Sequence, residues 1–234
     1  DWSVTGVQTC ALPICVAKLN QVRVWDLANP GNAPTIIAIQ GEDPRSLAVS
    51  PDGSTVYAGI FHSGNKTTAV RAETVSQVNS PYGGVNPPPN VGNTFSPPIN
   101  ASNPPPPAVA MIVRQNAAGQ WMDDNNRNWS SFVTWGLNDQ DIAIINTGTL
   151  GVTYAKGMMT TVMAVGVKPD GTVTAVGTEA INQVRFEPNV QSVFIRSQFA
   201  AFSPGSPSTV TSLDLNPHLN YTVKTLPPAQ REPS

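Results

Sequence analysis

Cysteine, charge and histidine are all scarce in this sequence, and each shortage removes a class of function. The two cysteines among 234 residues are Cys10 and Cys15. Both fall in an opening segment set aside below, so no disulfide, thiolate nucleophile or zinc site is inferred from them. Charged residues make up only 12% of the chain, thirteen basic against fifteen acidic, for a net charge of −2. No global basic field exists to steer the chain to nucleic acid, and no nucleic-acid partner is expected. No apolar run reaches the roughly 18 residues that a membrane-spanning helix needs. The two histidines, His62 and His218, have no carboxylate or cysteine at metal-ligand spacing and are read as structural or surface residues. Gly-x-Ser-x-Gly, phosphate-cradling glycine loops and Cys-x-x-Cys-His are absent, so the sequence offers no catalytic residue and no cofactor-binding residue. What is plentiful is proline, with 23 residues, and glycine, with 18. That many helix breakers exclude a helical bundle and suit short strands joined by turns.

Residues Val4 to Ile14, Val-Thr-Gly-Val-Gln-Thr-Cys-Ala-Leu-Pro-Ile, resemble the in-frame translation of a common sequencing adapter. Residues 1–15 are accordingly read as adapter-derived, and fold reasoning starts at Val16. The natural N-terminus is then missing, so the lack of a signal peptide says nothing about export.

Beyond that point, Val22 to Leu27 and Thr35 to Ile39 are β-rich runs separated by the turn cluster Asn29-Pro30-Gly31-Asn32. Ser46 to Ser50 and Ser54 to Phe61 flank Pro51-Asp52-Gly53 as a hairpin. Proline sets φ for the turn, aspartate accepts local backbone hydrogen bonds and glycine takes the positive φ. Val56, Ala58 and Ile60 alternate with Tyr57, as expected of a sheet covered on both faces. The series recurs: strands at Asp141 to Asn146 and Gly151 to Tyr154 precede Thr161 to Gly177, which contains Pro169-Asp170-Gly171. Two copies of a four-strand series, each ending in the Pro-Asp-Gly hairpin, predict a blade-like unit of about forty residues. A third, without the turn, is expected through Asn182 to Phe186, Ser192 to Phe202 and Thr209 to Asp214.

Between the copies, residues 81–107 hold ten of the prolines with few large apolar side chains. They predict an extended surface insertion inside a domain. The expected organisation is therefore blade structure over 16–80, a Pro-rich insertion loop over 81–107, and blades again over 108–234, truncated at the C-terminus.

Asp43-Pro44-Arg45-Ser46-Leu47-Ala48-Val49-Ser50-Pro51-Asp52-Gly53-Ser54-Thr55-Val56-Tyr57 resembles the repeat of the YVTN-type β-propellers. Ser63 to Thr68, Gly119 to Asn125 and Asn182 to Asn189 are similar to companion stretches of one bacterial subgroup. The resemblance implies an all-β fold: a partial β-propeller of about three four-stranded antiparallel blades from a seven-bladed ring. It further implies an exported, periplasmic or extracellular protein acting as a scaffold that presents loops to a small molecule or protein. Two alternatives come with it, the propeller part of a haem-containing periplasmic oxidoreductase and a lactonase-type hydrolase. Haem would belong to the full-length protein, not to this fragment. An incomplete ring leaves sheet faces uncovered, so the isolated chain is expected to aggregate. Trp25-Asp26 is not a WD repeat, because no Gly-His pair precedes it at the required distance.

Among polar clusters, Asp123 to Asn128 is the richest in oxygen ligands, and Asp124, Asn126 and Asn128 alternate as in a calcium loop. Trp129 stands where a calcium loop needs glycine, and no glutamate closes the loop, so a solvated turn is the favoured reading. Asp139 and Asp141 are read as loop acids flanking a strand. Trp121, Trp129, Trp135 and Phe132 are read as core packing in preference to a ligand platform. Arg45 and Arg185 sit beside turns, and Asn65, Asn100, Asn128 and Asn220 begin Asn-x-Ser/Thr triplets.

Overall fold

The structure, a computed structural model, describes residues 20–85, 87, 110–180 and 195–218, and the backbone of 14–17. Of the adapter-like segment only Ile14 and Cys15 fall within this range, at the start of a strand. Most of the Pro-rich stretch lies outside it, as does Arg185. Among the described residues the regular structure is β apart from one short helix, α1 (Ala72–Val75), and no helix is long and apolar enough to cross a membrane.

The chain divides into two compact units. The first is made of 1–65, 137–179 and 197–215 and contains three antiparallel sheets among its described residues. In chain order, β1 (Ile14–Ala17), β2 (Gln21–Val24) and β3 (Thr35–Ala38) form a three-stranded sheet. The second sheet joins β4 (Glu42–Val49) and β5 (Thr55–His62) to β9 (Ile142–Asn146) and β10 (Val152–Ala155), in the order β10-β9-β5-β4. The third runs β11 (Thr161–Val167), β12 (Val173–Ala180), β13 (Ile195–Phe202), β14 (Val210–Asp214).

Strand alternation decides how these sheets stack. On β5, Val56, Ala58 and Ile60 point to one face with Ala143 and Ile145 of β9, and there they pack on Val22, Val24, Ile37 and Ile39 of the first sheet. Tyr57 and Ile142 point the other way and pack on Val162, Val173, Ala175, Ala200 and Phe202 of the third. The middle sheet is thus apolar on both faces because both are covered, as Tyr57 between Val56 and Ala58 led one to expect. Each fully buried Ile or Val here is worth about 1.5–3 kcal/mol over its exposed state. Antiparallel sheets packed face to face in chain order, each linked to the next by a short connection, make this unit a partial β-propeller.

The two Pro-Asp-Gly turns occupy equivalent places, joining the first two strands of adjacent sheets. In the first, Gly53 N–H donates to the Ser50 carbonyl and Ser50 N–H to that of Thr55, each at 2.9 Å. In the second, Gly171 N–H donates to Lys168 and Lys168 N–H to Thr172, again at 2.9 Å. Gly53 and Gly171 take φ of 71° and 84°, the left-handed region that the turn requires. Ser50 and Ser54 donate to the Asp52 carboxylate, holding it well below the usual carboxylate range, at about 2. The Thr172 N–H lowers Asp170 likewise. The loops nonetheless differ by one residue: Val49 pairs with Val56, but Val167 pairs with Val173. Counted from the motif, β5 and β12 therefore present opposite parities to the core.

The repeat also has a different phase from the one the sequence suggested. The Pro-Asp-Gly hairpin opens each sheet. Strands β9 and β10 complete the sheet begun by β4 and β5, and β13 and β14 complete the one begun by β11 and β12. The described part of the expected third unit, β13 and β14, is thus the second half of an existing sheet, which explains its missing turn motif, while Asn182 to Phe186 lie outside the described residues. Among the described residues unit 1 holds two four-stranded sheets and one sheet with three strands.

The second unit is made of 66–136, 180–196 and 216–234. Its sheet is β6 (Thr67–Val70), β7 (Met111–Gln115) and β8 (Trp121–Met122), in the order β6-β7-β8. Val70, Val75, Met111, Val113 and Trp129 form its core, with Tyr82, Trp121, Phe132 and Val133 packed alongside. The excursion from the middle sheet is therefore far wider than 81–107 and has a core of its own.

On the far face of the third sheet, Met163, Val176 and Leu213 are 55%, 39% and 56% exposed. An apolar sheet face of this kind favours association. We expect residues 16–234 to self-associate at micromolar concentration and Leu213→Lys to reduce this measurably by sedimentation velocity; a monodisperse wild-type monomer would contradict the expectation.

Candidate functional site

The ends of unit 1 differ. One carries the Pro-Asp-Gly turns and the tight connections at 147–151 and 203–209. At the other, β5 leaves for residues 66–136, β12 leaves for 180–196, and residues 156–160 carry the chain from the second sheet to the third. Non-glycine residues with positive φ gather at this second end: Asp43 (58°), Asn65 (45°), Lys66 (57°) and Asp139 (53°). Such backbone is costly and persists where the surroundings hold it.

Asp141 anchors the end. It is fully buried just before β9. Its carboxylate accepts the Met158 N–H at 3.0 Å and the Met159 N–H at 3.3 Å, both from the connection between sheets. Its own N–H donates to the Ala155 carbonyl, and its carbonyl accepts the Ile60 N–H. Burial pushes the carboxyl up to about 6, against the lowering effect of the two amides and the Ser63 hydroxyl, with the Glu179 charge raising it further. The Ser63 hydroxyl, with one proton to share, also lies within hydrogen-bond reach of the Met159 and Thr160 carbonyls, and Gln198 donates to that of Met158.

Glu179 sits at the neighbouring exit. Both of its carboxylate oxygens accept from the Asn65 side-chain amide, at 3.1 and 3.0 Å, and the Thr160 hydroxyl donates to it at 3.2 Å. Asn65 and Glu179 are the last residues of unit 1 before the two long excursions, so these bonds tie their roots together.

On the edge strand of the same end, Arg45 is the extra residue of a β-bulge between Pro44 and Ser46. Its guanidinium lies 3.7 Å over the Phe61 ring and its Nε donates to Asp43 at 2.7 Å. The His62 ring meets Phe61 edge-on, and its Nδ1 stands 4.0 Å from Glu42. The cluster is a mixed, solvent-facing strip suited to polar recognition. His218 is exposed in the turn after β14.

The calcium-like residues lie in unit 2, where a different acid organises the loop. Asp123 is buried; its Oδ1 accepts the N–H groups of Asn125 and Arg127, and its Oδ2 accepts the Tyr82 hydroxyl at 2.7 Å and the Trp129 indole at 3.0 Å. Asn126 takes a φ of 61°, and Asn128 accepts the Ser130 N–H. Asp124, Asn126 and Asn128 thus flank a turn built around Asp123. Among the described residues no group of three or more His, Cys, Asp or Glu is placed to hold a metal ion. Trp129 is fully buried with Phe132 and Tyr82 against it, while Trp135 is half exposed.

Comparison with known proteins adds little to this geometry. No protein-family model matches the chain, and no curated protein matches it. Among solved structures, an acylaminoacyl peptidase in complex with Z-Gly-Gly-Phe-chloromethyl ketone aligns with 87% of this chain and 22% of its own, at 10% identity and a TM-score of 0.37. Kuenenia stuttgartiensis hydrazine synthase aligns with 84% of this chain and 60% of its own, at 12% identity and a TM-score of 0.27. The chain therefore spans about a fifth of the first and three-fifths of the second. At such low scores neither bears on the fold or the chemistry, and the propeller assignment stands on the stacked sheets.

Asp141 is, as the sequence suggests, a loop acid flanking a strand, but a fully buried one, and nothing in the sequence singles out Glu179. In the sequence Asn65 stands out only as the start of an Asn-x-Thr triplet, yet its amide is engaged by Glu179. No local signal marks these three, because residues that meet at strand exits are far apart in the chain.

Proposed function

We propose that this chain is part of an exported bacterial propeller of the YVTN kind, working in the periplasm or outside the cell as a rigid scaffold that presents loops to a ligand or protein partner. One observation supports this reading above the others. In two successive sheets the long connection leaves between the second and third strands, so both long connections leave from one end of these two sheets, opposite the end of the same sheets that carries their Pro-Asp-Gly turns. Binding residues concentrate on such loops, held by a rigid framework. Completion of a seven-bladed ring by further sheets belongs to the same proposal.

The oxidoreductase and lactonase alternatives rest on the resemblance alone. Within these 234 residues the donor set does not fit covalent haem, since Cys10 and Cys15 lack the Cys-x-x-Cys-His spacing. Reading the gene past Ser234 separates them: a haem attachment motif favours electron transfer, and converging acids, histidines or arginines on loops at one channel mouth favour hydrolysis.

The scaffold reading is tested by placing a photo-crosslinking residue at His62 or at Asp52 in the full-length protein, exposed to extract from its source. Adducts are expected from position 62 and not from 52. Equal labelling, or labelling from 52 alone, overturns the assignment of the binding end.

A further inference from the structure

The edge strand β4 carries a guanidinium that the fold does not require. Arg45 is the extra residue of its bulge, four residue pairs from the Pro51-Asp52-Gly53 turn. Strand β11 bulges at Met163, four pairs from its own Pro-Asp-Gly turn. The bulge therefore belongs to the repeat, and a bulge re-aims the side chain it bears. Counted from the two bulges, Asp43, Arg45 and Phe61 correspond to Thr161, Met163 and Thr178 of the third sheet. Two threonines and a methionine form the same bulge there, so packing alone does not call for the charged and aromatic trio.

That trio holds the guanidinium in one orientation. It lies 3.7 Å over the Phe61 ring, and Nε and Nη2, along its side edge, both reach Asp43 Oδ2. Asp43 takes a φ of 58° to do so, a costly backbone for a residue other than glycine. Its side chain is mostly covered, whereas that of Arg45 is 46% exposed. Among the described residues no acceptor meets the other edge, Nη1 and Nη2. Side chains alternate along a strand, so Glu42 and His62, which pair with each other, lie on the opposite face from Phe61.

We propose that Arg45 is an anion-reading group at this end of unit 1, receiving the carboxylate or phosphate of a ligand on its open edge. Two parallel N–H groups of a planar fork match two oxygens of either anion. Asp43 and Phe61 are positioning residues. With one edge bonded and one face stacked, the arginine has little freedom left to lose on binding. The charge of Asp43 offsets part of the attraction, and a bare anion is expected to bind with a Kd of about 1–5 mM. Tighter binding comes from the rest of the ligand.

The inference rests on the scaffold reading in that it names a ligand class for the same end. The two fail separately, because crosslinking from position 62 can capture a partner that presents no anion, and anion binding needs no partner.

Modification of arginines by phenylglyoxal, followed by peptide mass spectrometry on the full chain at submicromolar concentration, tests the proposal. Inorganic phosphate or acetate at about 10 mM should slow the reaction of Arg45 about threefold or more, as mass action gives for that affinity. Exposed Arg71 should not be slowed, and chloride at equal ionic strength should protect neither. Protection by phosphate alone or by acetate alone supports the proposal and identifies the source of the oxyanion. In Phe61→Leu the charges are unchanged but the flat platform is gone, and protection should fall by about half or more. The comparison of Arg45 with Arg71 in the wild type decides the matter if that variant does not fold. No protection of Arg45, equal protection of Arg71, equal protection by chloride, or undiminished protection in Phe61→Leu each overturns the proposal.

Discussion

Gly177→Ala is expected to destabilise the stacked sheets strongly. Gly177 lies opposite Val162, where β11 bulges at Met163. A Cβ on Gly177 would overlap the Thr161 carbonyl oxygen and would stand 2.7 Å from the Met159 sulfur and 3.1 Å from the Met163 nitrogen. Two of these neighbours are backbone in a hydrogen-bonded strand pair, so a rotamer change does not relieve the clash. Overpacking of this kind costs about 3 kcal/mol or more, a large share of the roughly 5–15 kcal/mol that holds a domain together. Gly171→Ala is the control. Its Cβ would enter open space, and only the φ of 84° opposes it, a penalty of about 1–2 kcal/mol. Chemical denaturation followed by circular dichroism should show a cooperative, slightly weakened transition for the control and a much lower midpoint for Gly177→Ala. Similar midpoints for the two would disprove the packing account of the bulge.

Asp123→Ala should have an effect of the same order in unit 2. The substitution strips four donors of their acceptor at once: the Tyr82 hydroxyl, the Trp129 indole and two backbone amides. Each donor left unsatisfied in a buried place costs about 1–3 kcal/mol, though relaxation of the loop towards water will recover part. A net loss of about 3–5 kcal/mol is expected. Asp123→Asn should lie between, since its amide NH2 must face at least one of the same donors. Tryptophan emission reports the change, because Trp121, Trp129 and Trp135 all belong to this unit. A red-shifted spectrum and earlier unfolding are expected for Asp123→Ala. A spectrum and midpoint indistinguishable from wild type would show that Asp123 does not organise the loop.

What the sequence disclosed, and what it hid, follow from the range of the forces involved. The hairpins at Pro51-Asp52-Gly53 and Pro169-Asp170-Gly171 were legible because turn chemistry is local and the flanking β-branched residues agree with it. The two-sided burial of β5 was legible from Tyr57 between Val56 and Ala58. The phase of the repeat was not, because β9 follows β5 in space but not in the chain, and an apolar strand carries no mark of its partner. The unit around Trp129 was hidden for a similar reason: its strands lie on either side of the proline run, and its organising acid looks, in one dimension, like one member of a polar cluster. Asp141 and Glu179 were least legible of all, since an acid becomes interesting only once its burial is known.

Sheet pairing across the long excursion has a consequence for how the chain assembles. Thr55 to Gly59 of β5 pair with Asn146 to Ile142 of β9, partners separated by more than eighty residues. Closing so wide a loop is thermodynamically mild, since each doubling of length costs only about 0.6 kcal/mol. Kinetically it is a bottleneck, because non-local strand pairing must await the search that brings the ends together. During synthesis β5 would emerge from the ribosome with one edge bare until β9 followed it. A self-contained insert that folds early would shorten that wait by drawing its two ends into proximity, making the excursion an aid to the maturation of the sheet it interrupts.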